Sequence, residues 1–122
     1  MAVLSTLLIC IVSLINLAPT VGAVSSKRLQ ALYGIAFEDP NLVVLMRHRA
    51  ILLGIVGALL GVAAFVVPLR PTAYAAGFTS MLSFVLIAWL TGGYNDALRR
   101  VVSADLVASA ALLAAALIDC LA

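Results

Sequence analysis

Residues 50–67 read AILLGIVGALLGVAAFVV and are followed by Pro68. The stretch carries no charge and approaches the roughly 20 helical residues that cross the hydrocarbon core of a bilayer. Backbone polar groups cannot stay unpaired in lipid, so a spanning segment of this composition must be helical. Because proline has no N–H and clashes with the preceding turn, it ends such a helix. This stretch therefore predicts a membrane-spanning helix that ends just before Pro68.

Other parts of the chain carry similarly long apolar stretches, each able to cross a membrane as a helix. The Asp39-Pro40 pair is typical of a helix start, with a capping aspartate and a proline in the first turn. Most connections are short, which makes sequential helices antiparallel neighbours. We therefore predict an all-α, up-down four-helix bundle that forms one transmembrane domain over residues 1–122, with helices at about 2–18, 40–67, 72–91 and 97–121.

The composition points to lipid as the solvent of this chain. Hydrophobic residues make up 66% of the 122 residues and charged residues 10%, whereas soluble domains carry about 25% charged residues. A chain this short has too much surface to hide so many apolar groups from water. A net charge of +2, without basic runs interleaved with aromatics, excludes a nucleic-acid partner. Membrane lipids are the expected surroundings and partners.

The amino-terminal stretch has some features of a signal peptide. It is apolar, and Val21-Gly22-Ala23 resembles a cleavage site. No basic region precedes the apolar run, as a signal peptide would require. We expect the segment to be retained as the first membrane helix.

The long connection between the first two spans contains a predicted short helix over residues 26–33. Serines at its start can cap it, and Gly34 suits its carboxyl end. Leu29, Leu32 and Tyr33 fall on one side of this turn, with basic residues near its start. This pattern predicts an amphipathic helix that lies in the membrane interface.

Small residues recur at helical spacing in the second span. They are Gly54, Gly57, Ala58 and Gly61. Small residues four apart let helix backbones approach closely in lipid, where packing replaces the hydrophobic drive. The pattern is consistent with packing inside the bundle and with a face for a second copy of the chain.

The positive charges are distributed unevenly between the two ends of the predicted bundle. Arg70 lies alone at one end, and six cations lie at the other: Lys27, Arg28, Arg47, Arg49, Arg99 and Arg100. The positive-inside rule then predicts that both termini lie outside the cytoplasm.

The charged end also contains the main candidate site. Asp105 lies within the fourth span, where an unpaired carboxylate is costly and should face a partner inside the bundle. We expect a network of Asp105 with the Arg47-His48-Arg49 segment, joined by Asn95 and Asn16. Its role is either a structural clamp between helices or a site for a lipid headgroup or quinone ring, since arginine suits phosphate and carboxylate. The candidate ligand residues are Arg47, His48, Arg49, Asn95, Arg99, Arg100 and Asp105.

The sequence offers no constellation for catalysis. His48 is the single histidine, and no second histidine, cysteine pair or serine motif accompanies it to form a metal site or a triad. We therefore predict a protein that is not an enzyme and that uses no metal and no cofactor.

Several motifs together resemble a known family. They are Leu32-Tyr33-Gly34-Ile35, Glu38-Asp39-Pro40-Asn41-Leu42, Met46-Arg47-His48-Arg49, Gly92-Gly93-Tyr94-Asn95, and Leu98-Arg99-Arg100 followed by Asp105. The chain resembles small bacterial four-helix inner-membrane proteins of unknown function, which are loosely similar to DoxX-like proteins. The resemblance implies a bacterial inner (cytoplasmic) membrane, with both termini periplasmic under the charge rule.

Some members of that family carry the label phosphopantetheine adenylyltransferase. That reaction needs a nucleotide-binding α/β domain with a phosphate-gripping loop. The sequence contains neither, so we reject this label.

Three functions remain open at this point. The favoured one is an accessory or structural subunit that packs against a larger membrane-protein complex or forms a homo-oligomer. The second is a lipid- or quinone-binding protein that uses the Arg/His/Asp cluster. The third, a proton-coupled transporter or membrane enzyme using Asp105 and His48, ranks last, because four helices and one histidine leave little room for it.

Overall fold

A computed structural model describes residues 2–23, 26–34 and 39–121 of the chain. Five α-helices form this part, joined in places by short 3-10 turns at Ala18–Ala23 and Val67–Leu69. The helices are α1 Ala2–Leu17, α2 Ser26–Tyr33, α3 Pro40–Phe65, α4 Arg70–Thr91 and α5 Asp96–Leu121. The described residues contain no strand, and the predicted all-helical class is confirmed.

Within the described residues, four helical segments are long and apolar enough to cross a membrane. They are Ala2–Thr20, Pro40–Phe65, Val67–Thr91 and Asp96–Leu121. The short helix α2 covers residues 26–33, where the sequence predicted an interfacial helix. The predicted amphipathic face of α2 included Leu29 and Leu32, whose side chains lie outside the described part of the structure. The position of α2 in the membrane interface therefore stays a prediction.

Two helix ends differ by two residues from the predicted ones, and two others differ by one residue. The α3 helix ends at Phe65, since Val66 already leaves helical geometry and Pro68 lies in the following 3-10 turn. The α4 helix begins at Arg70, two residues earlier than predicted, with Pro71 inside its first turn. Proline is tolerated there because the first N–H groups of a helix have no partner inside the helix.

The four long helices pack as a ring in chain order. The α1 helix packs against α3 and α5, and α4 packs against the same two helices from the other side. Along the α1–α3 contact the residue numbers run in opposite directions, which makes these helices antiparallel: Thr20 lies beside Gly54, Leu17 beside Gly57 and Ser13 beside Gly61. Buried side chains fill the centre, among them Ile9, Val12, Leu60, Met81 and Leu112.

Glycine permits the close approach of α1 to α3. A Cβ atom at Gly57 would lie 2.8 Å from Leu17 Cγ and 3.0 Å from the Leu17 backbone nitrogen. The Ser13 hydroxyl donates a hydrogen bond of 2.6 Å to the Gly57 carbonyl across this contact. Ala58 is exposed, because it lies about 100° further around the helix than Gly57. Within this chain, the three glycines serve the α1 contact and Ala58 does not.

Candidate functional site

Arg70 is a buried arginine that completes the end of a neighbouring helix. It is 6% exposed, and its guanidinium donates from Nε to the Ala63 carbonyl (3.1 Å) and from Nη2 to the Ala64 carbonyl (2.8 Å). The last carbonyls of a helix have no donor within that helix. The donor for Ala64 would be residue 68, which is a proline without an N–H. Arg70 supplies the missing donors at the carboxyl end of α3.

The remaining Arg70 N–H groups bind side chains from two other helices. Nη1 donates to both Asp119 carboxylate oxygens, at 2.9 and 3.1 Å, and to Ser5 Oγ at 3.1 Å. Nη2 donates to Thr6 Oγ1 at 3.0 Å, and the Tyr74 hydroxyl donates to Asp119. All five N–H groups of the guanidinium therefore have acceptors. This cluster joins all four long helices, and its chemistry is that of a structural clamp.

This clamp was missed by the sequence analysis. Arg70 was expected to be a solitary charge at its end of the bundle, and Asp119 was not singled out. Two signals could have found the pair. Pro68 leaves Ala64 without a backbone donor, and an up-down bundle brings the end of α5 to the α3–α4 turn. Among the described residues, Arg70–Asp119 is the one salt bridge.

Arg49 has a different environment, at the opposite end of α3. Its side chain is half-buried, and its guanidinium carbon lies 4.6 Å from the centre of the Phe84 ring and 5.7 Å from that of Tyr33. These distances are typical of cation–π stacking. No hydrogen bond or salt bridge joins the guanidinium to another described residue. The Phe84 and Tyr33 rings hold Arg49 in place, but no described residue accepts a hydrogen bond from its guanidinium N–H groups.

Arg49 lines an open groove of about 680 Å³ between α3 and α4. This volume falls within the range of small-molecule sites in proteins. The span that contains α4 is the least covered by the rest of the chain. In its apolar stretch 17% of the residues are buried, compared with 28% in each of the other three spans. Most of the groove is apolar, with hydroxyls from α4 along it: Thr72, Thr79, Ser80 and Ser83.

Tyr33 links α2 to this end of the bundle. Its ring is 2% exposed and packs with Ala50 and with apolar residues of α3 and α5. Burial raises the pKa of the Tyr33 phenol above its ordinary value, so the ring remains neutral beneath Arg49. The adjacent Gly34 ends α2 with a φ of +66°, a conformation that glycine adopts without strain.

Asn95 fastens α2 to the start of α5. Its side-chain oxygen accepts the Leu98 N–H at 2.8 Å, as a helix cap does. Its amide nitrogen donates to the carbonyls of Tyr33 (2.9 Å) and Gly34 (3.3 Å). Asn95 therefore has a structural role between these two helices and does not face the groove as a lining residue.

The predicted network of Asp105 with the Arg47-His48-Arg49 segment stays a prediction. Asp105 is half-buried on α5 and interacts electrostatically with Arg49 and Tyr33, but no salt bridge forms with Arg49. Asn16 does not join the network: its amide donates to the Val12 carbonyl (2.9 Å) and to Met81 Sδ (3.7 Å). Both of its N–H groups are used there. Four other candidate ligand residues have exposed side chains at the same end of the bundle and do not line the α3–α4 groove: Arg47, His48, Arg99 and Arg100.

Among the described residues, no group of three or more His, Cys, Asp or Glu side chains could hold a metal ion. No family model, curated protein or solved structure matches the chain. The resemblance to small bacterial four-helix membrane proteins therefore stays a prediction.

Proposed function

We propose that this chain is a non-catalytic, multi-pass membrane protein that binds an amphiphile with an anionic head in the α3–α4 groove. One observation carries the proposal. The half-buried Arg49 guanidinium lies at the groove with no hydrogen-bond acceptor among the described residues. Below the headgroups little water is available, so donors of this kind need a partner. In an amphiphile with an anionic head, the charged oxygen accepts hydrogen bonds from Arg49 and the apolar chain occupies the groove.

The contrast with Arg70 supports this assignment. Both arginines belong to helices long enough to span a membrane, yet Arg70 meets acceptors with all five donors inside the chain. Arg49 is instead held by aromatic rings, which leave the edge of the guanidinium available for an anion. One arginine is thus suited to structure and the other to binding.

The depth of Arg49 is also suitable for a lipid-like ligand. It lies 16 residues before Phe65 in α3, or about 24 Å along a helix that rises about 1.5 Å per residue. If Phe65 marks one edge of a hydrocarbon core about 30 Å thick, Arg49 lies about 6 Å inside the other edge. An arginine side chain bridges such a distance by extending toward the headgroups.

The test is a comparison of Arg49→Ala with Arg99→Ala, which removes an exposed arginine at the same end of the bundle. Each protein is purified in mild detergent, and everything that co-elutes is identified by native mass spectrometry. We expect wild type and Arg99→Ala to retain an amphiphile at a fixed ratio, and Arg49→Ala to lose it. Equal retention by all three proteins would contradict the proposal.

The same measurement separates this function from that of an accessory subunit. The open face of α4 is the surface that a partner protein would cover. A protein that co-elutes at a fixed ratio, with no amphiphile bound, would favour the subunit function and overturn the lipid-binding one.

We further propose that the chain lies in a bacterial inner membrane with both termini in the periplasm. Six cations lie at the end of the bundle opposite Arg70, and they support this orientation under the positive-inside rule. Arg70 does not weigh against it, because its charge is paired with Asp119. Cys120 is exposed near the carboxyl end of α5, so a membrane-impermeant thiol reagent added to spheroplasts should label it. Labelling that requires cell lysis would reverse the proposed orientation.

A further inference from the structure

We infer that the ligand of the α3–α4 groove is a phospholipid whose phosphate binds Arg49 and one of whose acyl chains lies along the groove. This inference rests on the proposed function and narrows its ligand class. The inference selects a phospholipid over two other amphiphiles that could fill the groove, a fatty acid and a quinone.

The geometry of Arg49 favours phosphate. The guanidinium carbon lies over the Phe84 and Tyr33 rings, and these rings accept no conventional hydrogen bonds from its N–H groups. A planar fork of N–H donors binds two oxygens of one phosphate in parallel. A quinone carbonyl carries no charge and offers one oxygen, so it would use this fork poorly.

The charge around Arg49 favours a single negative charge. Asp105 lies near enough to interact with Arg49, and the neutral Tyr33 phenol adds no charge. The carboxylate offsets part of the arginine's positive field, while the two residues before Arg49, Arg47 and His48, have exposed side chains. A monoanionic phosphodiester is therefore a better match than a head with several phosphates.

The order of groups along the groove matches the order of groups in a phospholipid. Arg49 and Phe84 lie at one end, and Ser83, Ser80 and Thr79 follow on α4. Thr79 lies about 7.5 Å from Phe84 along the helix axis, and Thr72 about 18 Å away. The hydroxyls nearest Phe84, those of Ser83, Ser80 and Thr79, can donate to the ester carbonyls that follow a phosphate in a phospholipid. Ser83 already donates to the Ser80 carbonyl at 3.1 Å and could exchange this bond for a ligand oxygen.

The apolar floor of the groove accounts for the chain. The lining includes Leu52, Leu53 and Val56 of α3 and, further along the groove, Ala75 and Ala76 of α4, whose small side chains leave space between the two helices. A hydrocarbon chain in this space gains the packing contacts that the helices do not make with each other. The groove thus offers a place for the phosphate beside Arg49 and room for a chain between the two helices.

The experiment uses the full chain, delipidated in detergent and titrated with defined compounds under native mass spectrometry. The compounds are phosphatidylglycerol, palmitate, ubiquinone and inorganic phosphate. We expect one phosphatidylglycerol per chain, weakened about tenfold to a hundredfold by Arg49→Ala, since hydrogen bonds to a charged group are lost. Arg49→Lys should lie between the two, because it keeps the charge without the fork. Arg99→Ala should bind as wild type does.

A second variant tests the groove without touching the charge. Ala76→Leu fills the space beside the chain, and Ala110→Leu makes the same change on an exposed position of α5. Ala76→Leu should weaken phosphatidylglycerol binding at least severalfold, and Ala110→Leu should not. Equal binding by both variants would overturn the placement of the acyl chain.

The remaining outcomes separate this inference from the proposed function. Palmitate that binds as tightly as phosphatidylglycerol, with the same dependence on Arg49, would overturn the phosphate and leave amphiphile binding in place. Displacement of the lipid by millimolar inorganic phosphate would show that the site recognises free phosphate, which overturns the lipid. Failure of every amphiphile to bind would overturn both proposals.

Discussion

Replacing Arg70 by methionine should destabilise the bundle strongly. The substitution keeps an apolar stem but removes the donors to Ala63 and Ala64 and leaves the Asp119 carboxylate with the Tyr74 hydroxyl. Breaking a buried ion pair by removing one partner costs about 3–5 kcal/mol. The Asp119 side chain is 27% exposed, so solvent screens part of this cost. We therefore expect a loss of about 2–4 kcal/mol in the free energy of unfolding.

The assay is reversible unfolding in mixed micelles, with helix content followed by circular dichroism. Arg99→Met is the matched control, because the Arg99 side chain is exposed, and it should change the free energy of unfolding by less than about 0.5 kcal/mol. The double variant Arg70→Met/Asp119→Leu removes the stranded carboxylate as well. It should be more stable than Arg70→Met alone, by about 1 kcal/mol or more.

Two results would refute this reasoning. The first is an Arg70→Met protein as stable as Arg99→Met, which would mean that the ion pair contributes nothing in lipid-like surroundings. The second is a double variant whose loss equals the sum of the losses in Arg70→Met and in Asp119→Leu, each measured alone. Additivity would show that Arg70 and Asp119 do not depend on each other.

Three further predictions concern the packing of the bundle. Gly57→Val should lower the free energy of unfolding by about 1–3 kcal/mol, since its Cβ would lie 2.8 Å from an α1 side chain; equal losses for Gly57→Val and the exposed control Ala58→Val would contradict this. Asn95→Ala removes a cap and two bonds to α2, so it should cost about 1–2 kcal/mol and speed amide exchange in α2; unchanged exchange would count against it. Burial raises the pKa of Tyr33 above 10.0, so its stabilising contribution is complete below that pH and is lost as pH rises through the higher folded-state pKa. The tyrosinate absorbance of wild type minus Tyr33→Phe should therefore show a transition above pH 10, and a midpoint at or below this value would refute the burial argument.

The helices could be predicted because lipid leaves the backbone few alternatives. An apolar run of about 20 residues must pair its own N–H and C=O groups, and the helix is the local way to do so. Helix ends were less certain, because proline acts differently before and after a helix. Pro71 entered the first turn of α4, whereas Pro68 followed α3 in a 3-10 turn. Both effects moved a predicted boundary by two residues.

The polar pairings could be predicted only in part. Arg49 and Asp105 were placed at the same end, since the helices that carry them enter from that side. Which way each side chain points depends on the rotation of its helix, and a helix that is apolar on all faces carries no periodic signal for rotation. The stacking of Arg49 on Phe84 and Tyr33 was therefore not accessible from the sequence.

The Arg70–Asp119 pair was accessible, but from topology rather than from a motif. The two residues lie 49 positions apart, so no local spacing marks them. Once an up-down bundle is expected, the start of α4 and the end of α5 must lie at the same end. A buried charge at one of these positions then calls for its opposite at the other.

The central claim is that Arg49 binds a ligand while Arg70 holds the bundle together. The most direct test measures two quantities in Arg49→Ala and Arg70→Met, the bound phospholipid per chain and the free energy of unfolding. We predict that Arg49→Ala loses the lipid and no more than about 2 kcal/mol of stability, the size of a desolvated cation–π contact. Arg70→Met, measured under conditions where it remains folded, should keep the lipid and lose about 2–4 kcal/mol of stability. Lipid retained in Arg49→Ala, or lost to the same extent in both variants, would contradict this division of roles.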